Sequence, residues 1–142
     1  MRELRGPAEV LLLTRVSVFA ALVPVLMRLP LPRAAALLAR APHRSSERPS
    51  PGQIERLDRL VTLAPRVARP FVRTGCLTRG VTLFWFLRRA GLDVELRFGL
   101  DPREHSGTEG HCWLSLDGEP FLERRDPRAR FAELYRLPLP VA

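Results

Sequence analysis

Thr74-Gly75-Cys76-Leu77-Thr78-Arg79-Gly80 places a cysteine where a helix begins. Thr74 is the expected N-cap and Gly75 leaves backbone room around the sulfur. A long apolar run follows through Val81, Leu83, Phe84, Trp85, Phe86 and Leu87. Arg88 and Arg89 then complement the negative end of the helix, and Gly91 stops it. Unpaired N–H groups and the positive dipole end at a helix start stabilise a thiolate, which makes a thiol a nucleophile. A lone cysteine is as readily a small buried hydrophobe, so the case rests on what surrounds it.

Downstream, Leu92, Val94, Leu96 and Phe98 alternate with Asp93, Glu95 and Arg97, the pattern of a half-buried strand over 92–99. Residues 100–110 have loop composition, and His105 within them reads as a surface residue. His111 to Glu123 reads as a strand, a turn at Asp117-Gly118 and a returning strand, which Pro120 marks as either an edge or locally irregular. Upstream, Ile54, Leu57, Leu60, Val61, Ala64 and Ala68 recur at helical spacing over 53–69, with Pro65 expected to kink or end that helix. The polar, proline-rich stretch 43–52 reads as a linker, with His43 in solvent. Before it lie two expected helices, 8–27 and 32–41. Arg15 and Pro24 interrupt the first, leaving it short of a clean membrane span of about 20 residues. The prolines at 24, 30 and 32 argue against a signal peptide. This gives an N-terminal apolar segment (1–42), a linker (43–52) and a catalytic unit (53–142), the first packing on the core or lying on a membrane surface.

A chain of 142 residues supports one domain with a real core. Its net charge of +8 is a weak pointer to nucleic acid. All 23 basic residues are arginine, Lys and Asn are absent, and Ile54 is the sole isoleucine, as GC-rich coding alone produces. The arginines are scattered and no nucleic-acid motif accompanies them, so nucleic acid is not an expected partner. Two cysteines and three histidines make neither a disulfide framework nor a zinc pattern, so no metal or cofactor is expected. Free, reduced thiols favour a cytoplasmic setting.

A thiol at a helix start, a histidine beginning a strand and a carboxylate on the next strand form the set that nucleophilic acyl transfer needs: attacker, base, and a group orienting the base. Cys112, adjacent to His111 in a strand, should face the other way, so a Cys76–Cys112 disulfide is not expected. Turn length determines whether Glu123 can take part. A two-residue Asp117-Gly118 turn pairs Leu116 with Glu119 and sets Glu123 opposite Cys112. A three-residue loop, Leu116-Asp117-Gly118 with Gly118 left-handed, pairs Ser115 with Glu119 and sets Glu123 opposite His111. The bulged, three-residue form is the expectation.

Cys76-Leu77-x-Arg79 opening a helix, Arg88-Arg89-Ala90-Gly91-Leu92-Asp93 at its end, Gly99, Gly110-His111-x-Trp113, and Asp117-Gly118 before an acidic residue together resemble the lasso-peptide leader peptidases. The likeness extends to the apolar N-terminus and covers most of the chain. It implies an α+β fold with a transglutaminase-like, broadly papain-like cysteine protease core. In that fold the catalytic cysteine starts a helix packed on a small antiparallel sheet, preceded by N-terminal helices. It further implies a stand-alone protease half that removes the leader from a ribosomally made precursor peptide. Such a protein works with a separate leader-recognition protein and ahead of a lasso cyclase. Carried onto this sequence, Cys76 is the nucleophile and His111 the base. The family's third residue is usually an aspartate on the strand after the histidine. Glu123 stands there here, with Asp126 as the fallback, while Asp117 is explained by its turn. No glutamine shortly precedes Cys76, so the backbone N–H of Cys76 is the expected oxyanion donor. Two alternatives stay open: a noncatalytic adaptor for a membrane-associated peptide-maturation complex, and transglutaminase- or amidase-type acyl transfer.

Overall fold

Ser50 starts α3 (Pro51–Val67) with a capping box. Its hydroxyl accepts from the Gln53 N–H at 3.3 Å, while the Gln53 side chain accepts from the Ser50 N–H at 2.8 Å. With Pro51 in the first turn, the helix begins inside the stretch read as a linker, and Pro65 sits near its end without stopping it. Leu57, Leu60, Val61 and Ala64 form its buried face. The computed structural model describes residues 6–40, 47–72, 75–103 and 110–138.

Two helices precede it, α1 (Pro7–Leu26) and α2 (Leu31–Ala39). Arg15 and Pro24 interrupt the apolar sequence of α1 but not the helix, which runs unbroken for 20 residues with mean hydropathy 2.0, long and apolar enough to cross a membrane. Only 28% of its apolar window is buried. Leu13, Val16, Ala20 and Val23 face inward, and Phe19 stacks on Trp85 (centroids 5.3 Å apart) and meets Phe86 edge-on (5.7 Å). Glu9, almost fully buried, is held by Arg59 and Arg56 of α3. Leu11, Val18, Leu22 and Val25 remain exposed on the other side.

Residues Cys76–Arg89 form α4. Gly75 occupies its N-cap position; Thr74, the residue expected there, lies outside the described residues. At the other end Gly91 adopts φ 99° and the Leu92 N–H donates to the Leu87 carbonyl at 3.0 Å, a Schellman ending. The chain then enters β1 (Glu95–Leu100). This is three residues later than the alternation suggested, since Leu92 and Val94 are buried before the ladder begins.

Four antiparallel strands make one sheet in the order β3-β2-β1-β4, with β2 at Gly110–Leu116, β3 at Glu119–Phe121 and β4 at Ala132–Leu137. α4 lies on the face carrying Leu96, Cys112 and Leu114. Glycine permits that approach: a Cβ on Gly80 would meet Cys112 Sγ at 2.8 Å and Leu96 Cδ1 at 3.1 Å. Gly99 does the same within the sheet, where a Cβ would stand 2.7 Å from the Ala132 carbonyl oxygen and 2.9 Å from the Trp113 ring. One hydrophobic cluster runs through Val16 of α1, Leu38 of α2, Leu60 of α3, Phe84 of α4 and Leu114 of β2. The architecture is α+β, with a cysteine-led helix on a small antiparallel sheet and helices ahead of it.

The β2–β3 hairpin corrects the expected register. Leu114 pairs with Phe121, Ser115 with Pro120 and Leu116 with Glu119, so the turn is the tight two-residue form. Asp117 and Gly118 both have positive φ, 52° and 83°, the type I′ geometry whose twist matches that of the flanking strands. Nor does the ladder reach Glu123: β3 stops at Phe121 and Leu122 turns left-handed at φ 58°.

Candidate active site

Cys76 opens α4 and is half-buried; His111 is the second residue of β2. Both line one cleft of about 1060 Å³, together with Glu123 and residues of α3. The His111 ring stacks with Trp113 (6.0 Å, nearly parallel) and with Phe131 (5.0 Å). Its Nε2 stands 3.5 Å from Glu123 Oε2, longer than a typical hydrogen bond. Nε2 is thus the ring nitrogen turned to Glu123. Among the described residues no hydrogen bond joins Cys76 to His111, and unliganded sites commonly tighten only around substrate.

Glu123 reaches His111 although the hairpin register would have carried it to the wrong face. The left-handed Leu122 re-aims the chain, at a cost of about 1–2 kcal/mol for a residue with a Cβ. Arg79, one turn into α4, holds that conformation: its Nη2 donates to the Leu122 carbonyl at 2.9 Å and to Asp58 Oδ1 of α3 at 2.9 Å. Its Nη1 lies 3.7 Å from Glu123 Oε1. One guanidinium thus ties α3, α4 and the acid-bearing loop together. Arg79 stands in the Cys76-Leu77-x-Arg79 motif, where sequence alone assigns it no role, and no sequence signal singles out Phe131.

The fallback acid is engaged elsewhere. Asp126 lines the cleft, but it caps the short 3₁₀ turn Pro127–Ala129 and accepts from the Arg128 side chain at 2.8 Å. Arg128 holds its carboxyl below the usual carboxylate range. Asp117 is in the hairpin turn.

Alternation does turn Cys112 away from His111, yet that side is the one α4 covers. Its thiol therefore sits against Gly80, one turn along from Cys76, and also borders the cleft. Burial pushes the Cys112 thiol well above its ordinary range, with neighbouring Cys76 and Glu123 adding to the effect. Both cysteines are free. His43 and His105 lie outside the described residues. Among the described residues no group of three or more His, Cys, Asp or Glu is placed to hold a metal ion.

The family described as the transglutaminase-like superfamily matches residues 19–136, from within α1 to the end of β4. The chain belongs to the transglutaminase-like superfamily. No curated protein and no solved structure matches it. Transglutaminase-like proteins generally include cysteine proteases and transglutaminases, and the thiol, imidazole and carboxylate gathered here are compatible with either activity. The N-terminal boundary of the match puts the C-terminal part of α1, residues 19–26, inside the transglutaminase-like region, in line with its packing on α3 and α4.

Proposed function

We propose that this protein is a cysteine peptidase that removes the leader from a ribosomally synthesised lasso-peptide precursor. The observation that carries the reading is the meeting of Cys76, His111 and Glu123 in one cleft, with Glu123 against His111 Nε2. The resemblance of the Cys76 and His111 blocks to the leader peptidases supports the choice of substrate.

In this mechanism Cys76 attacks the leader–core carbonyl as a thiolate. The backbone N–H of Cys76, at the unpaired start of α4, serves as oxyanion donor in this mechanism. His111 then protonates the leaving amine from Nδ1, while Glu123 holds the ring by Nε2. Water attacks the thioester on the leader's C-terminal carbonyl, and Cys76 leaves as thiolate. A separate leader-recognition protein delivers the precursor and a lasso cyclase takes the product. The setting is the cytoplasm, with the exposed apolar side of α1 available for contact with a membrane surface.

The test is mass spectrometry of the precursor encoded beside the gene, incubated with this protein and its leader-recognition partner. Leader and core appearing as two hydrolysed fragments support the reading, whereas an intact precursor counts against it. Adding a primary amine separates hydrolysis from acyl transfer, since a transferase yields the leader amide. The adaptor alternative accounts for the exposed side of α1 and leaves the Cys76, His111 and Glu123 set without a role.

A further inference from the structure

Arg66, Arg124 and Arg125 line the cleft and are exposed, and among the described residues none has a hydrogen-bond or ion-pair partner. The carboxylates of the same cleft are all engaged. Asp58 is 2.9 Å from Arg79, Glu123 lies between His111 and Arg79, and Asp126 is 2.8 Å from Arg128. A further lining arginine, Arg130, is bonded to Asp101 at 3.0 Å. The charge left uncompensated in the cleft is therefore positive and comes from three guanidinium groups. It is also local to the chemistry. Arg124 and Arg125 directly follow Glu123, so their Cα atoms stand within about 4 and 7 Å of its Cα, while Arg66 comes from α3.

We infer that the peptide accepted by this cleft is acidic, with carboxylate side chains within about two or three residues of the bond that Cys76 attacks, received by Arg66, Arg124 and Arg125. The inference rests on the peptidase reading and adds to it a substrate class. A guanidinium presents a planar fork that fits a carboxylate with two parallel hydrogen bonds, so these positions discriminate Glu from Gln at equal size. Each exposed pair is weak and screened by salt, so three together correspond to a preference of about tenfold at low ionic strength.

Binding is to be read on the Cys76→Ala variant, so that it does not depend on turnover. The probes are rhodamine-labelled peptides of equal length, carrying Glu or Gln at the same positions and followed by fluorescence anisotropy. The Glu peptide is expected to bind about tenfold tighter at low salt, and the preference should shrink at physiological salt. Arg66→Gln/Arg124→Gln/Arg125→Gln should abolish the preference, and the corresponding triple change to Glu should reverse it. Arg28→Glu/Arg33→Glu/Arg40→Glu, outside the cleft and with the same change in net charge, should retain it. Equal affinity for the two peptides overturns the inference. So does a preference lost equally in the outside triple, or a single-stranded oligonucleotide of the same charge binding tighter than the Glu peptide. A Glu peptide that binds selectively but is never cleaved by the wild type supports the acidic cleft and counts against the peptidase. Cleavage with no Glu preference does the reverse.

Discussion

At the seam between α4 and β2 the chain is fixed by packing: Gly80 lets the helix settle onto Cys112 and Leu96, and the side chains around it are almost wholly buried. At the exit from β3 it is fixed by polar contacts: Leu122 stays left-handed while Arg79 grips its carbonyl, and Glu123 is shared between Arg79 and His111. Close-packed interiors resist displacement in every direction. A hydrogen-bonded loop resists only while its donor is present. The helix bearing Cys76 and the strand bearing His111 therefore rest on rigid ground, whereas the acid depends on one arginine.

Removing the proposed nucleophile should give the largest effect. Cys76→Ala should lower precursor cleavage by at least about 10³-fold, because members of a catalytic unit act together. Cys112→Ala, which alters the seam and not the chemistry, should stay within a few-fold of wild type. Fragment yields by mass spectrometry decide this, and wild-type activity in Cys76→Ala would sink the peptidase.

Arg79→Met should release Leu122 and Glu123 together. We expect a loss of about 10²-fold in kcat/KM, the scale of a misplacement near 1 Å, and a changed pH profile as His111 loses its oriented partner. A loss of stability of about 1–3 kcal/mol should accompany it, because charged hydrogen bonds are removed. Arg79→Lys should recover part of the stability and little of the activity, since an ammonium cannot fork to two acceptors in the same geometry. An unchanged pH profile in Arg79→Met would reduce Arg79 to a structural tie.

Gly80→Ala probes the packed side. A methyl group 2.8 Å from a buried sulfur should cost about 1–3 kcal/mol by urea unfolding. The double variant with Cys112→Ala should be less destabilised than the two single changes summed, because removal of the sulfur makes room. Strict additivity would mean that the seam gives way elsewhere.

The smallest effect concerns acid. The backbone N–H of Arg103, followed by the Arg130 side chain, holds the Asp101 carboxyl below its ordinary range, and Arg128 does the same for Asp126. For a folded-state pKa depressed in this way, the stabilisation is fully present above the unfolded value, about 3.9, and is lost as pH falls through the folded value. Asp101→Asn should therefore flatten the fall in stability below about pH 4 and leave its slope at neutral pH unchanged. An unaltered acid limb would contradict the assignment.

The sequence carried the packed side better than the polar one. The cysteine-led helix is legible because its apolar run, basic end and stopping glycine are local signals, and β2 is legible from its boundary at His111 and its turn. The register of the hairpin was not. An Asp-Gly pair serves a two-residue turn or a bulged loop with a difference of one residue, and the choice falls to strand twist. Left-handed Leu122 has no local signature, since it is imposed by a guanidinium 43 positions away in sequence. β4 escaped for a third reason. Four of its six residues are exposed, as on an edge strand, so Ala132 to Leu137 offers no clean alternation, and Phe131 beside it gives no hint that it stacks on the His111 ring.

The buried thiol at the seam turns the protein into its own stopwatch. Cys112 is 4% exposed and hard to deprotonate, while Cys76 stands in an open cleft. An alkylating reagent should modify one sulfur quickly in the native protein and the second only when α4 lifts from β2. The delay between the two mass increments measures how often that lid of helix parts from the sheet, without any label having to be built in.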